Sequence, residues 1–185
     1  MQRSILWMKI TKYQPHMPFL EQISTNNILA FKTVRLQALQ DSPAAFGSTY
    51  ARESQFLDAE WLRRAANMNG EKGIGYLAVD DESPCGIVGA FRDEHDSFSA
   101  NVVSMWVAPA HRRTGVGSFL ISAVQTWTRI CGVRTLRLMV TSNNSAAIEF
   151  YKRMGFSMTG NTEPYPNDPT VIEYEMSQLV PTADR

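Results

Sequence analysis

Arg112-Arg113-Thr114-Gly115-Val116-Gly117 stands between an apolar, β-branched run and an amphipathic one. Gly115 and Gly117 let the backbone turn tightly and approach a ligand closely. The free N–H groups of a first helical turn carry partial positive charge, and Arg112 and Arg113 add full charges beside them. Such a device holds a pyrophosphate. A P-loop would require a lysine after the glycines, and none follows. A dinucleotide fingerprint would require a third glycine where Leu120 stands. Further on, Asn144-Ser-Ala-Ala-Ile-Glu-Phe-Tyr151-Lys-Arg-Met-Gly155-Phe156 brings a helix-capping amide and a phenol into one short segment.

The flanking periodicities name the elements that position these groups. Asn101–Val107 is apolar and β-branched, as a buried strand would be. Val116, Phe119, Leu120, Ala123, Val124, Trp127 and Ile130 mark one helix face, with Gly132 as its stop. Thr135–Val140 alternates as a strand. Asn143 or Asn144 caps the next helix, whose apolar face is Ala147, Phe150, Tyr151 and Met154 and which ends at Gly155. Outside this region the pattern predicts a strand near Met8–Tyr13, helices over Asn27–Gln40 and Leu57–Asn67, and strands at Gly75–Asp80 and Gly86–Arg92. Glu173–Ser177 reads as a closing strand. Gly160–Thr170, punctuated by prolines, reads as a loop, and Pro181–Arg185 as a loose tail. Asp80–Glu82 and Asp93-Glu94 read as turns with solvated charges.

Arg112-x-x-Gly115-x-Gly117 after a Val-x-Pro strand end, followed by Asn-x-x-Ala-x-x-Phe-Tyr-x-x-x-Gly-Phe, resembles the two signatures of the GNAT superfamily of N-acetyltransferases. The resemblance covers Asn101 to about Gly160. A weaker one, to bacterial members, runs over Phe31–Gly47, with Arg35-Leu-x-Ala-Leu and Ser42-Pro-x-Ala-Phe-Gly. It implies a mixed α/β (α+β) GNAT fold, a central twisted and mostly antiparallel sheet of about seven strands flanked by about four helices. The whole chain, 1–185 with a core of about 8–178, would then be a single transferase domain.

By the same resemblance, the backbone of Met105, Trp106 and Val107 pairs with the pantetheine arm of acetyl-CoA, and one N–H polarises the thioester oxygen. Arg112, Arg113, Thr114, Gly115, Val116, Gly117 and Ser118 would hold the pyrophosphate, with Asn144 and Ala147 also touching the cofactor. Tyr151 matches the tyrosine that protonates the departing sulfur, and it too lies at the cofactor. No metal is implied. Many relatives carry a glutamate on the strand before the first signature, whereas Ser97–Val107 contains no carboxylate. A base would therefore come from elsewhere, with Glu53 the first candidate and Glu163 behind it, or from a water relay through Ser104 or Asn101. The acceptor, a primary amine of a small molecule or peptide, would bind between the loop after the first helix and the last hairpin, walled by Phe46, Tyr50, Trp61 and Tyr165. The missing strand glutamate leaves a second reading: a catalytically silent acyl-CoA-binding sensor or partner domain.

Bulk properties agree with one soluble domain. The chain has 185 residues and zero formal net charge, and no apolar run reaches membrane-spanning length. Cys85 and Cys131 sit in apolar contexts as free thiols, and the three histidines lack metal spacing. A cytoplasmic monomer or homodimer is the expectation, binding neither nucleic acid nor membrane. Ser97–Ile148 holds five arginines and no acid, which suits an anionic cofactor. Asp41–Asp96 is acid-rich, which would draw a cationic amine.

Overall fold

The structure is a computed structural model that describes residues 18–181. The strand expected at Met8–Tyr13 and the tail beyond Pro181 lie outside the described residues. Seven strands form one sheet in the order β1-β2-β3-β4-β5-β7-β6. They are β1 (Phe19–Gln22), β2 (Gly73–Asp80), β3 (Ser83–Arg92), β4 (Ser99–Val107), β5 (Thr135–Thr141), β6 (Ser157–Tyr165) and β7 (Asp168–Leu179). Every neighbouring pair is antiparallel except β4 and β5.

Five α-helices are present among the described residues: α1 (Ile28–Asp41), α2 (Tyr50–Glu53), α3 (Asp58–Asn67), α4 (Val116–Cys131) and α5 (Ser145–Arg153). One more than expected appears because the segment before Glu53 closes a single turn, capped by Thr49. Side chains alternate between sheet faces. Leu77, Val79 and Ile87 join α1 and α3 on one side, while Ala78, Val88 and Ala90 join α4 and α5 on the other.

Two expectations change. Helix α4 buries Val116, Leu120, Ile121, Val124, Trp127 and Thr128, whereas Phe119 and Ile130 are exposed. At about 100° per residue, those two side chains fall on the flank of the stripe that meets the sheet. The Gly160–Thr170 segment is not a loop: β6 runs to Tyr165, β7 starts at Asp168, and only Pro166 and Asn167 turn between them. Pro164 fits within β6 because that strand is the sheet edge, where a missing N–H costs no ladder bond.

Ladder β4/β5 holds only three residue pairs, Ser99 with Thr135, Ala100 with Leu136 and Asn101 with Arg137. Beyond them the strands part. Part-way along the separated stretch, Ser104 takes a left-handed φ of 58°, and the β3/β4 register shifts between Ile87 and Gly89. A bulge of this kind re-aims backbone groups and bends the strand.

Leu120 is fully buried and lies against Gly86, where a Cβ would come within 3.0 Å of the leucine Cδ1. Leu120→Ala is expected to lower the unfolding free energy by about 2–5 kcal/mol. Urea denaturation would show this as a lower midpoint at unchanged slope. A loss well under 1 kcal/mol would contradict the packing described.

Candidate active site

The sequence Pro109–Gly115 turns the chain from β4 into α4. Arg113 and Gly115 adopt positive φ, 66° and 98°, and Gly115 occupies the N-cap of α4. No side chain caps this helix, so its first N–H groups, those of Val116, Gly117 and Ser118, remain open. Residues Arg112–Gly115 are exposed around them. The two glycines do different work. Gly115 supplies the left-handed turn, whereas a Cβ on Gly117 would meet the Phe150 ring at 3.2 Å, so Gly117 lets α4 settle against α5.

Arg112 is held rather than free. Its Nε donates to the Val107 carbonyl at 3.0 Å and its Nη2 pairs with the Asp41 carboxylate. Asp41 also accepts from Trp106 Nε1 at 2.9 Å and Ser42 Oγ at 2.6 Å. Burial pushes the Asp41 carboxyl up, but the bonds from Ser42, Trp106 and Arg112 outweigh it and hold it below its ordinary value. The end of α1 is thereby tied to the strand exit, and Arg113 carries the unpaired charge at the α4 N-terminus among the described residues.

Where β4 and β5 part, a cavity of about 710 Å³ opens. Its walls are Val102–Met105 on one side and Leu138–Thr141 on the other, with Asn144, Ala147 and Tyr151 of the α5 region closing it. Trp106 and Val107, in contrast, pack into the cores on the two faces of the sheet and do not line it. Asn144 caps α5, its Oδ1 accepting from Ala147 N at 3.1 Å. Tyr151 is 9 % exposed, and its hydroxyl has no hydrogen-bond partner among the described residues. Burial raises its pKa, so the phenol stays protonated. Thr141 Oγ1 is buried beside it with no partner.

Residues 36–156 match the GNAT family of acetyltransferases. The chain belongs to that family. The streptothricin acetyltransferase of Streptomyces lavendulae is 43% identical over 54 residues, 29% of this chain and 29% of that protein. Matches to curated relatives span 29% and 36% of those relatives' own lengths. A GNAT-family acetyltransferase of Streptococcus pneumoniae superposes with a TM-score of 0.75 at 19% identity, over 88% of this chain and 99% of that one. The yncA protein of Salmonella typhimurium, solved with its cofactor acetyl-CoA, superposes with a TM-score of 0.73 at 15% identity, over 92% and 98%. At these identities the two structures establish the GNAT fold. Among the described residues, no helix is long and apolar enough to cross a membrane.

Within this GNAT cavity the far end departs from the sequence expectations. Glu53 is not a solvated helix-start acid. It is 1 % exposed, with Arg35 Nη2 and Nε donating to its two oxygens at 2.7 and 3.0 Å and Arg64 Nη1 donating at 2.8 Å. Burial acts to raise its pKa, yet the two guanidiniums prevail and bring it down to about 2. A carboxylate held this way is a poor proton acceptor. Of the four aromatic residues expected to wall the acceptor end, Phe46 does line the cavity. Trp61 is fully buried against Phe31 and Phe56, and the half-exposed Tyr50 lies outside the lining. Tyr165 is a strut instead. Its hydroxyl donates toward the Phe46 and Pro43 carbonyls at 2.8 and 3.0 Å, joining the β6–β7 turn to the loop after α1.

Sequence reasoning missed Glu173. It stands opposite Thr141 in the β5/β7 ladder, and both line the cavity. Burial raises its pKa first, with Glu163, its neighbour across β6/β7, adding to the effect. The closing strand was visible in the sequence, but only strand order brings β7 beside β5. The water-relay candidates are already engaged: Ser104 Oγ accepts from Arg35 at 3.3 Å, and Asn101 donates to Asp93 at 3.3 Å.

Glu53→Gln leaves the buried Arg35 and the partly buried Arg64 without their anion and is expected to cost about 3–5 kcal/mol at neutral pH. The native pKa lies below the ordinary glutamate value of 4.5, so this stability is present above about pH 4.5 and fades as pH falls toward 2. Denaturant titrations of both proteins from neutral pH to pH 3 should show the gap narrowing with acid. A gap independent of pH would count against the ion cluster.

Proposed function

We propose that the chain works as one transferase domain that moves the acetyl group of acetyl-CoA to a primary amine by direct transfer. The observation that carries this is the opening between β4 and β5, which holds a protonated, unpartnered tyrosine and whose wall residue Met105 lies close to Gly117 at the uncapped α4 N-terminus. The open N–H groups of Val116–Ser118 and the charge of Arg113 suit a pyrophosphate. The β5-facing edge of β4 beyond Asn101 leaves backbone groups free to pair with an extended amide-bearing arm, and Asn144 and Ala147 flank the same path. Acetyl-CoA, when bound, supplies the activated thioester.

The chain's own groups then divide the work. Glu173 takes a proton from the acceptor ammonium, leaving a neutral amine. A β4 backbone N–H re-aimed by the Ser104 bulge holds the carbonyl oxygen as the amine nitrogen bonds to the carbonyl carbon. As the carbon–sulfur bond breaks, Tyr151 gives its phenolic proton to the sulfur, the nitrogen releases its surplus proton to restore the phenol, and Glu173 returns its proton to water, so free CoA thiol and an N-acetyl amide leave the site. Glu173 replaces Glu53 in the base role because its pKa is raised where that of Glu53 is depressed. The lack of a strand carboxylate favoured a silent acyl-CoA-binding domain; Glu173 places a carboxylate at the same cavity and favours turnover.

Thiol release from acetyl-CoA, followed with amino acids, polyamines, aminoglycosides and peptides, tests the reading. Tyr151→Phe should lower kcat by about 10²-fold or more and leave acetyl-CoA affinity unchanged. Glu173→Gln should remove from the kcat/KM profile a limb that rises with pH through an elevated carboxylate pKa. Wild-type rates in Tyr151→Phe at every pH would refute the acid role, and an unaltered profile in Glu173→Gln would refute the base role.

A further inference from the structure

Of its many acids, the acid-rich segment presents only Glu53 and Glu60 to the cavity. It contributes Arg52, Arg63 and Arg64, and with Arg35 four guanidiniums meet only Glu53 and Glu60 at that end. Arg63 is neutralised by Glu60 through bonds of 2.9 and 2.7 Å. Arg35 and Glu53 satisfy each other inside the protein. Two cations are left over. Arg64 spends Nη1 on Glu53, while its Nε and Nη2 have no acceptor among the described residues, and its plane packs over Phe56 and Trp61 at 5.6 and 5.3 Å. Arg52 has no ion-pair partner among the described residues.

A partly buried cluster with surplus positive charge is costly unless an anion completes it. The stacked Arg64 fork is pre-organised for a planar, two-oxygen acceptor. At another part of the cavity, Glu173 offers a negative charge, and apolar side chains such as Phe46, Phe56, Met68 and Phe91 also line the space. From this arrangement we infer that the acceptor carries a carboxylate as well as its amine, the acid group seated on Arg64 and Arg52 and the amine presented at Glu173. The inference rests on the acetyltransferase reading for the amine and stands on the arginine cluster for the acid.

Binding and turnover separate the two. The acetyl-CoA-loaded full chain is titrated by NMR with 3-phenylpropanoate and with 3-phenylpropanamide, neither of which can be acetylated. The acid should bind at least about tenfold more tightly than the amide, as expected for charge-assisted hydrogen bonds. Arg64→Gln and Arg52→Ala should each erase most of that difference without changing acetyl-CoA affinity. Arg52 is exposed and unpaired, so its variant keeps the test valid even if Arg64→Gln disturbs folding. Equal affinity for acid and amide, or no binding of either, overturns the inference. So does an acid preference that survives Arg52→Ala. Thiol release with phenylalanine and phenylalaninamide is the second arm. Release with the amide equal to or above that with the amino acid also counts against the inference. Silence with every amine, alongside acid binding, removes the transferase reading and leaves the anion site standing.

Discussion

The parting of β4 from β5 after three residue pairs is the constraint around which the molecule is arranged. A sheet normally closes every backbone N–H and C=O against a neighbour, and an edge in its middle is costly unless something occupies it. Here the ladder begins at Ser99, Ala100 and Asn101, and the strands then diverge around the Ser104 bulge. One wall leads through the Pro109–Gly115 turn into the open N-terminus of α4. The other leads through Asn144 into α5, which carries Tyr151 to the floor of the gap. Strand β7 then packs on β5 and adds Glu173. The same opening therefore gathers a protonated phenol and a raised-pKa carboxylate in one cavity, with an uncapped helix N-terminus close to its Met105 wall.

Polar ties hold that opening in shape. Asp41 gathers Trp106, Arg112 and Ser42 at the end of α1, fixing the strand exit to the helix across the sheet. Tyr165 and Asn167 bond to the backbone of the loop that carries Phe46. The Arg35–Glu53–Arg64 cluster does the same deeper in, joining α1, α2 and α3, with Ser104 of β4 attached through Arg35. A buried ion cluster contributes little net stability over apolar packing, because desolvation offsets most of the attraction. Its effect is to set geometry and to leave positive charge facing the cavity.

Much of this was legible along the chain. The spans of α3, α4 and α5 follow from the 3.6-residue recurrence of apolar side chains, and Gly132 and Gly155 end or follow their helices at positive φ, as caps of that kind do. The uncapped Gly115 turn into α4 and the place of Tyr151 on α5 were readable because each is set by residues close together in sequence. Helix boundaries and local motifs depend on neighbours three or four positions away, and a sequence records those directly.

Long-range pairing was not recorded in that way. The burial of Glu53 between two guanidiniums depends on α1, α2 and α3 converging, and the sequence showed only a polar residue near a helix start. Tyr165 and Trp61 had the composition of cleft walls, yet packing assigned one to a strut and the other to the core. The β6–β7 hairpin was hidden by three prolines: Pro164 on β6, which strand order makes the edge, Pro166 in the turn, and Pro169 at the start of β7 ahead of its pairing with β5. Glu173 reaches the cavity by lying opposite Thr141. The sequence by itself determined the local elements, the pyrophosphate-type turn and the phenol. The tertiary structure alone decided which charges meet in the cavity, because proton affinity is set by burial and by neighbours distant along the chain.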